Sequence, residues 1–288
     1  MKYFRPKREL MKRLYITDLD HTFLHSSQRV TDFSKKVWNE KANYALLSVA
    51  TARSFSKTHE FLEGLQLDAP LILLDGAMVA TTEKKLINVQ TLSQEISSAI
   101  IEESHKFNIQ PFVISLNDHV SLDETFAIPP LLNDFQSFLI GNNYANDNRL
   151  KFMKKIEGVN DTLKIVYMGE ESLLRPLSEH LKKVFGKAIE VKLSPENYMK
   201  CYFLTILHPL GDKAHALKIV HEYLDYSVKE TTVFGDSVND IEMFKLAGTA
   251  VAVKNALDEV KAVADIILNE TNDENAVANY LNRTIESH

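Results

Sequence analysis

Short apolar runs that stop on a polar residue, with helical patterning between them, constrain this chain more than any other feature. Residues 14–17 form the first run, rich in strand formers, and it ends on Asp18. A helical stretch carrying Val37 and Trp38 on its apolar side leads to a second run, 45–50, which ends on Thr51, Ala52 and Arg53. Residues 55–65 read as another helix, and a third run at 71–74 ends at Asp75 and Gly76. Strands alternating with helices at this spacing imply a parallel sheet covered on both faces.

The rhythm breaks near residue 81 and resumes near residue 209. Between them the segments are longer, more polar and less regular: an amphipathic helix at 93–107, a strand at 110–115 and an asparagine-rich loop at 141–148. A strand at 163–168, a helix at 173–185 and a strand at 203–207 follow. The earlier rhythm then returns with a helix at 213–224, a buried strand at 231–234 and Gly235-Asp236 ahead of a helix ending near Gly248. Further strands are expected at 249–253 and 265–268. The expected fold class is α/β: a doubly wound, Rossmann-like parallel-sheet core formed by residues 11–80 and 209–288, with a large inserted mixed α/β cap domain at 81–208. A chain of 288 residues has the length for two such domains, and 45% hydrophobic residues suffice for a sizeable core.

Charge and composition narrow the partners. A net charge of −6 does not hold a protein to nucleic acid by non-specific attraction, and no apolar run approaches the roughly 18 residues needed to span a bilayer. The single cysteine, Cys201, rules out an intrachain disulfide and is expected to pack as a small hydrophobe. Residues 1–10 are basic but no apolar segment follows, so a disordered tail, or a stretch ahead of a start at Met11, is expected rather than a targeting signal. The expectation is a cytoplasmic enzyme acting on a small molecule.

Three of the strands end on residues able to do chemistry: Asp18, Thr51 and Asp236. In open parallel sheets, ligands bind outside the carboxyl ends of the strands, so these three could converge. Asp18, Asp20 and Thr22 share a face if extended geometry persists through them. Two carboxylates held that close repel unless a cation lies beside them or one is protonated. Magnesium takes oxygen ligands, usually one or two carboxylates plus waters and substrate phosphate. The segment from Gly235 to Asp240 supplies more oxygens, and Gly235 lets the backbone approach closely. Taken singly, the first segment also reads as a turn with solvated acids, and the second as a helix cap. Together they say more, because each directly follows a buried strand and they lie at opposite ends of the chain.

These segments, in this order, resemble the haloacid dehalogenase-like superfamily, and within it the Cof-like sugar-phosphatase branch. The branch's Asp-x-Asp-x-Thr is met by Asp18-Leu19-Asp20-His21-Thr22, and its Thr or Ser after a strand by Thr51. Its lysine opening a helix is met by Lys213, its Gly-Asp-x-x-Asn-Asp by residues 235–240, and an Asn-Ala after the next strand by Asn255-Ala256. The chain departs from the pattern at His21, Ala52 and Ala214, where glycine is usual, at Asp75, where asparagine is usual, and at Thr205, in place of a glutamate.

The resemblance implies a magnesium-dependent phosphatase acting on a small phosphorylated metabolite. Asp18 would attack phosphorus and form a phospho-aspartate, with Asp20 as general acid and then base. Mg2+ would be held by the Asp18 and Asp236 carboxylates and the Asp20 backbone carbonyl, with Asp240 either binding it through water or orienting Lys213. Lys213 would add positive charge, while Thr51 and Asn239 would donate hydrogen bonds to the phosphate. Arg53 reads equally as a surface residue, as a partner for another side chain or as a substrate contact. In the cap, Asn117, Asp118, His119 and Arg149 fall on expected loops, and Asn117, His119 and Arg149 are the candidates for selecting the leaving group. Two rivals share these motifs: a phosphosugar mutase, and a non-catalytic phosphometabolite-binding protein. Retention of Asp18, Asp20, Lys213 and Asp236 together argues against the second, because binding alone has no use for an acid/base aspartate.

Overall fold

The computed structural model describes residues 12–286; the expected tail at 1–10 lies outside the described residues. In chain order the strands are β1 (Leu14–Thr17), β2 (Leu46–Val49), β3 (Leu71–Leu73), β4 (Met78–Ala80), β5 (Leu86–Val89), β6 (Phe112–Asp118) and β7 (Asp123–Ile128). They continue with β8 (Leu150–Phe152), β9 (Thr162–Gly169), β10 (Glu190–Glu196), β11 (Cys201–Leu207), β12 (Thr231–Gly235), β13 (Thr249–Ala252) and β14 (Ile266–Ile267). The helices are α1 (Asp32–Lys41), α2 (Phe55–Phe61), α3 (Gln94–His105), α4 (Asp134–Asn143), α5 (Glu171–Phe185), α6 (Lys213–Leu224), α7 (Ile241–Leu246), α8 (Asp258–Lys261) and α9 (Ala276–Thr284).

The first sheet is all parallel, in the order β14-β13-β12-β1-β2. Its middle strands are apolar on both faces because helices cover them: α1 packs on α9, while α7 lies against β12 and β13. Leu14 and Ile16 of β1 are wholly buried. The chain leaves β1 for β2 on one side and later returns to β12 on the other. Order reversal of this kind opens a crevice at the carboxyl ends of the two strands. Asp18 and Asp236 stand at those ends.

The third apolar run departs from expectation. Instead of extending the parallel sheet, β3 reverses at Leu74–Gly76 and pairs antiparallel with β4, which pairs antiparallel with β5. A single parallel bridge, Ala50 to Ile72, ties this small sheet to the edge of the first. The reversal rests on three consecutive positive φ values, at Leu74, Asp75 and Gly76. β5 carries the hairpin to Val89, past the expected boundary at residue 80.

The remaining sheet is mixed, in the order β10-β11-β9-β6-β7-β8, antiparallel except where β7 meets β8. Alternate residues of each strand face opposite ways. One set, including Val113, Ile165, Tyr167, Leu204 and Ile206, forms a closed core with Ile100 and Ile101 of α3 and Leu174, Leu177 and Leu181 of α5. The other set, including Phe112, Ile114, Val166, Met168 and Phe203, faces the carboxyl ends of the parallel sheet. The expected loop at 141–148 begins as helix, because the Asn133–Gln136 capping box starts α4 and nothing stops it before Asn143.

Gly76 seats the β3–β4 reversal against the start of α6. Its φ is +111°, and a Cβ there would lie 2.1 Å from the Asp212 carbonyl carbon and 2.6 Å from the Lys213 nitrogen. Gly76→Ala is therefore expected to cost about 2–5 kcal/mol, from backbone strain and overpacking together. Gly141, inside α4, has nothing within 4 Å of such a Cβ and makes the control. Urea denaturation should show a lowered midpoint for Gly76→Ala and none for Gly141→Ala.

Candidate active site

Lys213 is the first residue of α6 and has no solvent exposure. It is delivered there by the Asp212 cap, whose Oδ1 accepts the Ala214 and His215 backbone N–H groups at 2.8 and 2.9 Å. The lysine Nζ donates to Asp18 Oδ1 at 2.6 Å and to Asp240 Oδ1 at 2.7 Å. The other oxygen of Asp240 accepts the backbone N–H groups of Asp236 and Ser237 at 3.0 and 3.1 Å. Gly235 makes that turn possible, since a Cβ there would meet the Asp240 carboxyl carbon at 2.4 Å. Asp236 Oδ1 accepts the Thr22 hydroxyl at 2.7 Å.

The loops after β1 and β12 thus bring Asp18, Asp236 and Asp240 together. One oxygen from each lies within 4.8 Å of the others, and all three residues are buried. Three carboxylates face one ammonium. Burial pushes the Asp18 carboxyl up to about 7, with Lys213 opposing and Asp240 and Asp20 adding to the rise. Asp236 is raised well above the usual carboxylate range by burial and then by Asp18 and Asp240. Burial disfavours the Lys213 ammonium, but Asp18 and Asp240 outweigh it and hold the proton on. A buried excess of negative charge needs protons or a cation. Hard oxygen donors fit a divalent ion such as Mg2+. Hydrogen bonding in Asp18 and Asp236 falls on Oδ1, which leaves each an Oδ2 for that purpose. Both oxygens of Asp240 are engaged, one of them by Lys213.

Asp20 turns away from this cluster. Arg53 grips it with two hydrogen bonds, Nε to Oδ2 at 2.7 Å and Nη2 to Oδ1 at 2.6 Å, and its guanidinium lies 4.1 Å from the Phe61 ring centroid. Thr51 is wholly buried, its hydroxyl accepting the Arg53 backbone N–H at 3.2 Å. Asn239 donates its side-chain amide to Asp75 Oδ1 at 3.0 Å. A carboxylate only accepts, so the amide nitrogen must face Asp75, and Asn239 Oδ1 is left buried without a hydrogen-bond partner. Asp75 also accepts from Lys164 of β9 at 2.8 Å, and the same ammonium donates to the Ala52 carbonyl at 2.9 Å. Burial would raise the Asp75 carboxyl, but Lys164 outweighs it and holds the group below the usual range.

A cavity of about 410 Å³ lies between these groups and the free face of the mixed sheet. Asp18, Asp20, Asp236 and Asn239 line its floor, while Phe112, Ile114, Val166, Met168 and Phe203 form its roof. The expected cap residues are elsewhere. Asn117 is exposed and donates to Thr125 Oγ1 at 2.8 Å, and His119 lies 3.7 Å from Asp161 in the β6–β7 turn. Both sit at the end of β6 remote from Phe112, so neither lines the cavity. Asp118, beside them, accepts the Val120 N–H at 2.7 Å and closes that turn. Arg149 is held by Asp147 and Glu124 at 2.6 and 3.1 Å and donates to Ser54 Oγ at 2.6 Å, so it ties the mixed sheet to the loop after β2. The side chains that do enter from this sheet include Lys164, Lys192, Glu196 and Tyr198. Lysines at inward positions of buried strands were the legible signal for the first two.

His21 enters from the loop after β1. It has φ 56°, the left-handed region, where the branch has glycine, and Asn255 fixes it by donating to its carbonyl at 2.8 Å. Its ring stacks on Tyr198 with centroids 3.9 Å apart. Burial, then the Asp20 and Glu196 carboxylates, push the Tyr198 phenol up, so its hydroxyl stays protonated.

The chain matches the haloacid dehalogenase-like hydrolases over residues 15–281. It is 27% identical over 269 residues to a 5-amino-6-(5-phospho-D-ribitylamino)uracil phosphatase of Bacillus subtilis (strain 168), covering 92% of this chain and 93% of that one. It is 23% identical to an HMP-PP phosphatase of Cronobacter sakazakii, with 88% of each chain covered. The crystal structure of a haloacid dehalogenase-like hydrolase from Bacteroides thetaiotaomicron has the same fold, with a TM-score of 0.75 at 22% identity over 94% of this chain and 99% of that one. A match running nearly the length of the chain, through a site whose motif residues meet around one buried lysine, makes this protein an enzyme of the haloacid dehalogenase-like hydrolase family.

Proposed function

We propose that the enzyme is a magnesium-dependent phosphatase that removes phosphate from a small metabolite through a phospho-aspartate on Asp18. The observation that carries this reading is the buried Lys213 ammonium bridging Asp18 and Asp240 beside Asp236. Asp18 is fixed at the mouth of the crevice; with Oδ2 left for the metal, Oδ1, which Lys213 holds in place, attacks phosphorus as the bond to the leaving oxygen breaks. Asp20 gives that oxygen a proton, then takes one from the water that cleaves the acyl phosphate. For this the Arg53 pair, which holds both Asp20 oxygens, must open. Lys213 stabilises charge gathering on the phosphoryl oxygens without reorganising, because it is already held. Asp18 and Asp236 would hold Mg2+, and the ion would add positive charge beside the transferring phosphoryl group.

Residues from about 90 to 207 act as the cap. The Lys164–Asp75 and Arg149–Ser54 contacts cross to the core and hold the apolar roof over the site, which keeps bulk water out. A substrate about the size of the phosphorylated compound in the Bacillus relative's name suits the cavity, which lies within the range of ordinary ligand pockets.

Phosphate release tests the chemistry. Asp18→Asn is expected to lower turnover of p-nitrophenyl phosphate by at least about 10³-fold, in line with losses of other nucleophiles. Asp20→Asn should hurt alkyl phosphates more than p-nitrophenyl phosphate, whose leaving group needs no proton. Substantial activity in the Asp18 variant, or isomer formation in place of free phosphate, would rule this reading out.

The metal has its own readout. Mg2+ at about 100 times its Kd should stabilise the native protein by about 2.7 kcal/mol, seen as a raised melting temperature. Asp236→Asn should abolish that shift. In metal-stripped enzyme Mg2+ should restore turnover and Ca2+ should not. Calcium takes six to eight oxygens and can occupy both oxygens of Asp18, including the one that attacks.

A further inference from the structure

Among the described residues, eight buried side-chain polar atoms have no hydrogen-bond partner, and three of them belong to residues on one cavity: His21 Nε2, the Tyr198 hydroxyl and Asn239 Oδ1. Leaving such an atom unpaired costs about 1–3 kcal/mol, so each one calls for an explanation. These three come from the loop after β1, the turn between β10 and β11 and the loop after β12. Their meeting at a cavity that also holds Asp18 and Asp20 is explained if a ligand completes them.

What they offer is hydrogen bonding. The imidazole nitrogen donates or accepts by tautomer, the phenol donates or accepts, and the amide oxygen accepts. The cations nearby are already paired: Arg53 with Asp20, Lys57 with Glu60, Lys164 with Asp75, Lys192 with Glu190, and Lys213 with Asp18 and Asp240. Glu196 Oε1 accepts the Tyr198 backbone N–H at 2.8 Å and lies 4.0 Å from His21 Nε2, a gap that a ligand hydroxyl can bridge. His21 is held in a left-handed conformation that glycine would adopt without strain, and such strain persists where surrounding structure enforces it, often at functional sites. The stack on Tyr198 and the Asn255 bond enforce it here.

We propose that His21 and Tyr198, with the amide oxygen of Asn239, form the leaving-group subsite of this enzyme and read neutral hydroxyl groups on the substrate. The proposal rests on the phosphatase reading above. It makes His21 a specificity residue that the branch's glycine cannot be, and assigns the cap's share of recognition to Tyr198 in place of Asn117, His119 or Arg149.

The test compares kcat/KM for ribitol 5-phosphate with that for pentyl phosphate, an ester of equal chain length without the hydroxyls. Tyr198→Phe keeps the ring stack and removes only the hydroxyl, while His21→Gly restores the residue best suited to the backbone there. The wild type is expected to favour the polyol ester. Each variant should lower the polyol-to-alkyl ratio about tenfold or more, the scale on which a site built to bind a hydroxyl loses discrimination. A wild type without that preference, or a ratio unmoved in both variants while phosphate is still released, overturns the subsite. If the wild type releases phosphate from no ester, including p-nitrophenyl phosphate, the phosphatase reading falls and takes the subsite with it.

Discussion

The Lys213 ammonium is the charge around which the rest of this enzyme is arranged. A cation with no solvent exposure is tolerable only if its donors are met, and here two carboxylates from separate parts of the parallel sheet meet them. The demand runs outward from there. Asp18 must stand at the end of β1 and Asp240 one turn beyond β12, which requires the glycine at 235. The start of α6 must come close to the β3–β4 reversal, which requires the glycine at 76. One ammonium also leaves the three-carboxylate cluster short of positive charge. That shortage suits the cluster to a divalent ion.

A second ion pair sets where the two halves of the molecule meet. Lys164 projects from the middle of β9 and ends between Asp75 and the Ala52 carbonyl, groups belonging to the loops after β3 and β2. Both partners are buried, so breaking the pair leaves an uncompensated charge, which is far costlier than the net worth of forming it. The contact therefore fixes register between the sheets more than it adds stability. Through Asp75 it reaches Asn239 and dictates which way that amide is turned. Cap placement and the polar character of the catalytic floor are linked through three side chains.

The parallel-sheet end of the enzyme is legible in the sequence because its signals are local. An apolar run four to six residues long that stops on Asp or Thr fixes a strand end, and strand ends in such sheets share one edge. Asp236 follows from the same logic, whereas Lys213, which opens a helix, follows from the family resemblance. The fate of β3 is not legible, because a run of apolar residues does not say whether the next turn reverses the chain, and the positive φ values at Leu74 and Asp75 fall on residues that seldom adopt them. Nor is the turn of Asp20 toward Arg53, since spacing places the two acids on one face but cannot say which base a neighbouring loop will supply. In the cap, loop position is the wrong guide: Asn117 and His119 are polar because they are in water, while the residues at the cavity lie within strands, as with Lys164 and Lys192, or in the tight turn at Tyr198.

The places where the chain leaves its family pattern are concentrated at the same boundary. Asp75 for asparagine gives Lys164 a charged partner; Ala52 supplies the carbonyl that takes another of its hydrogens; His21 for glycine stacks on the cap's Tyr198; Thr205 lines the roof of the cavity. Asp75 and Lys164 constrain each other, since an asparagine at 75 would leave a buried ammonium without a countercharge, and an apolar residue at 164 would strand a buried carboxylate. Changes that interlock in this way alter the shape and polarity of the space above Asp18 while leaving Lys213 and its acids in place.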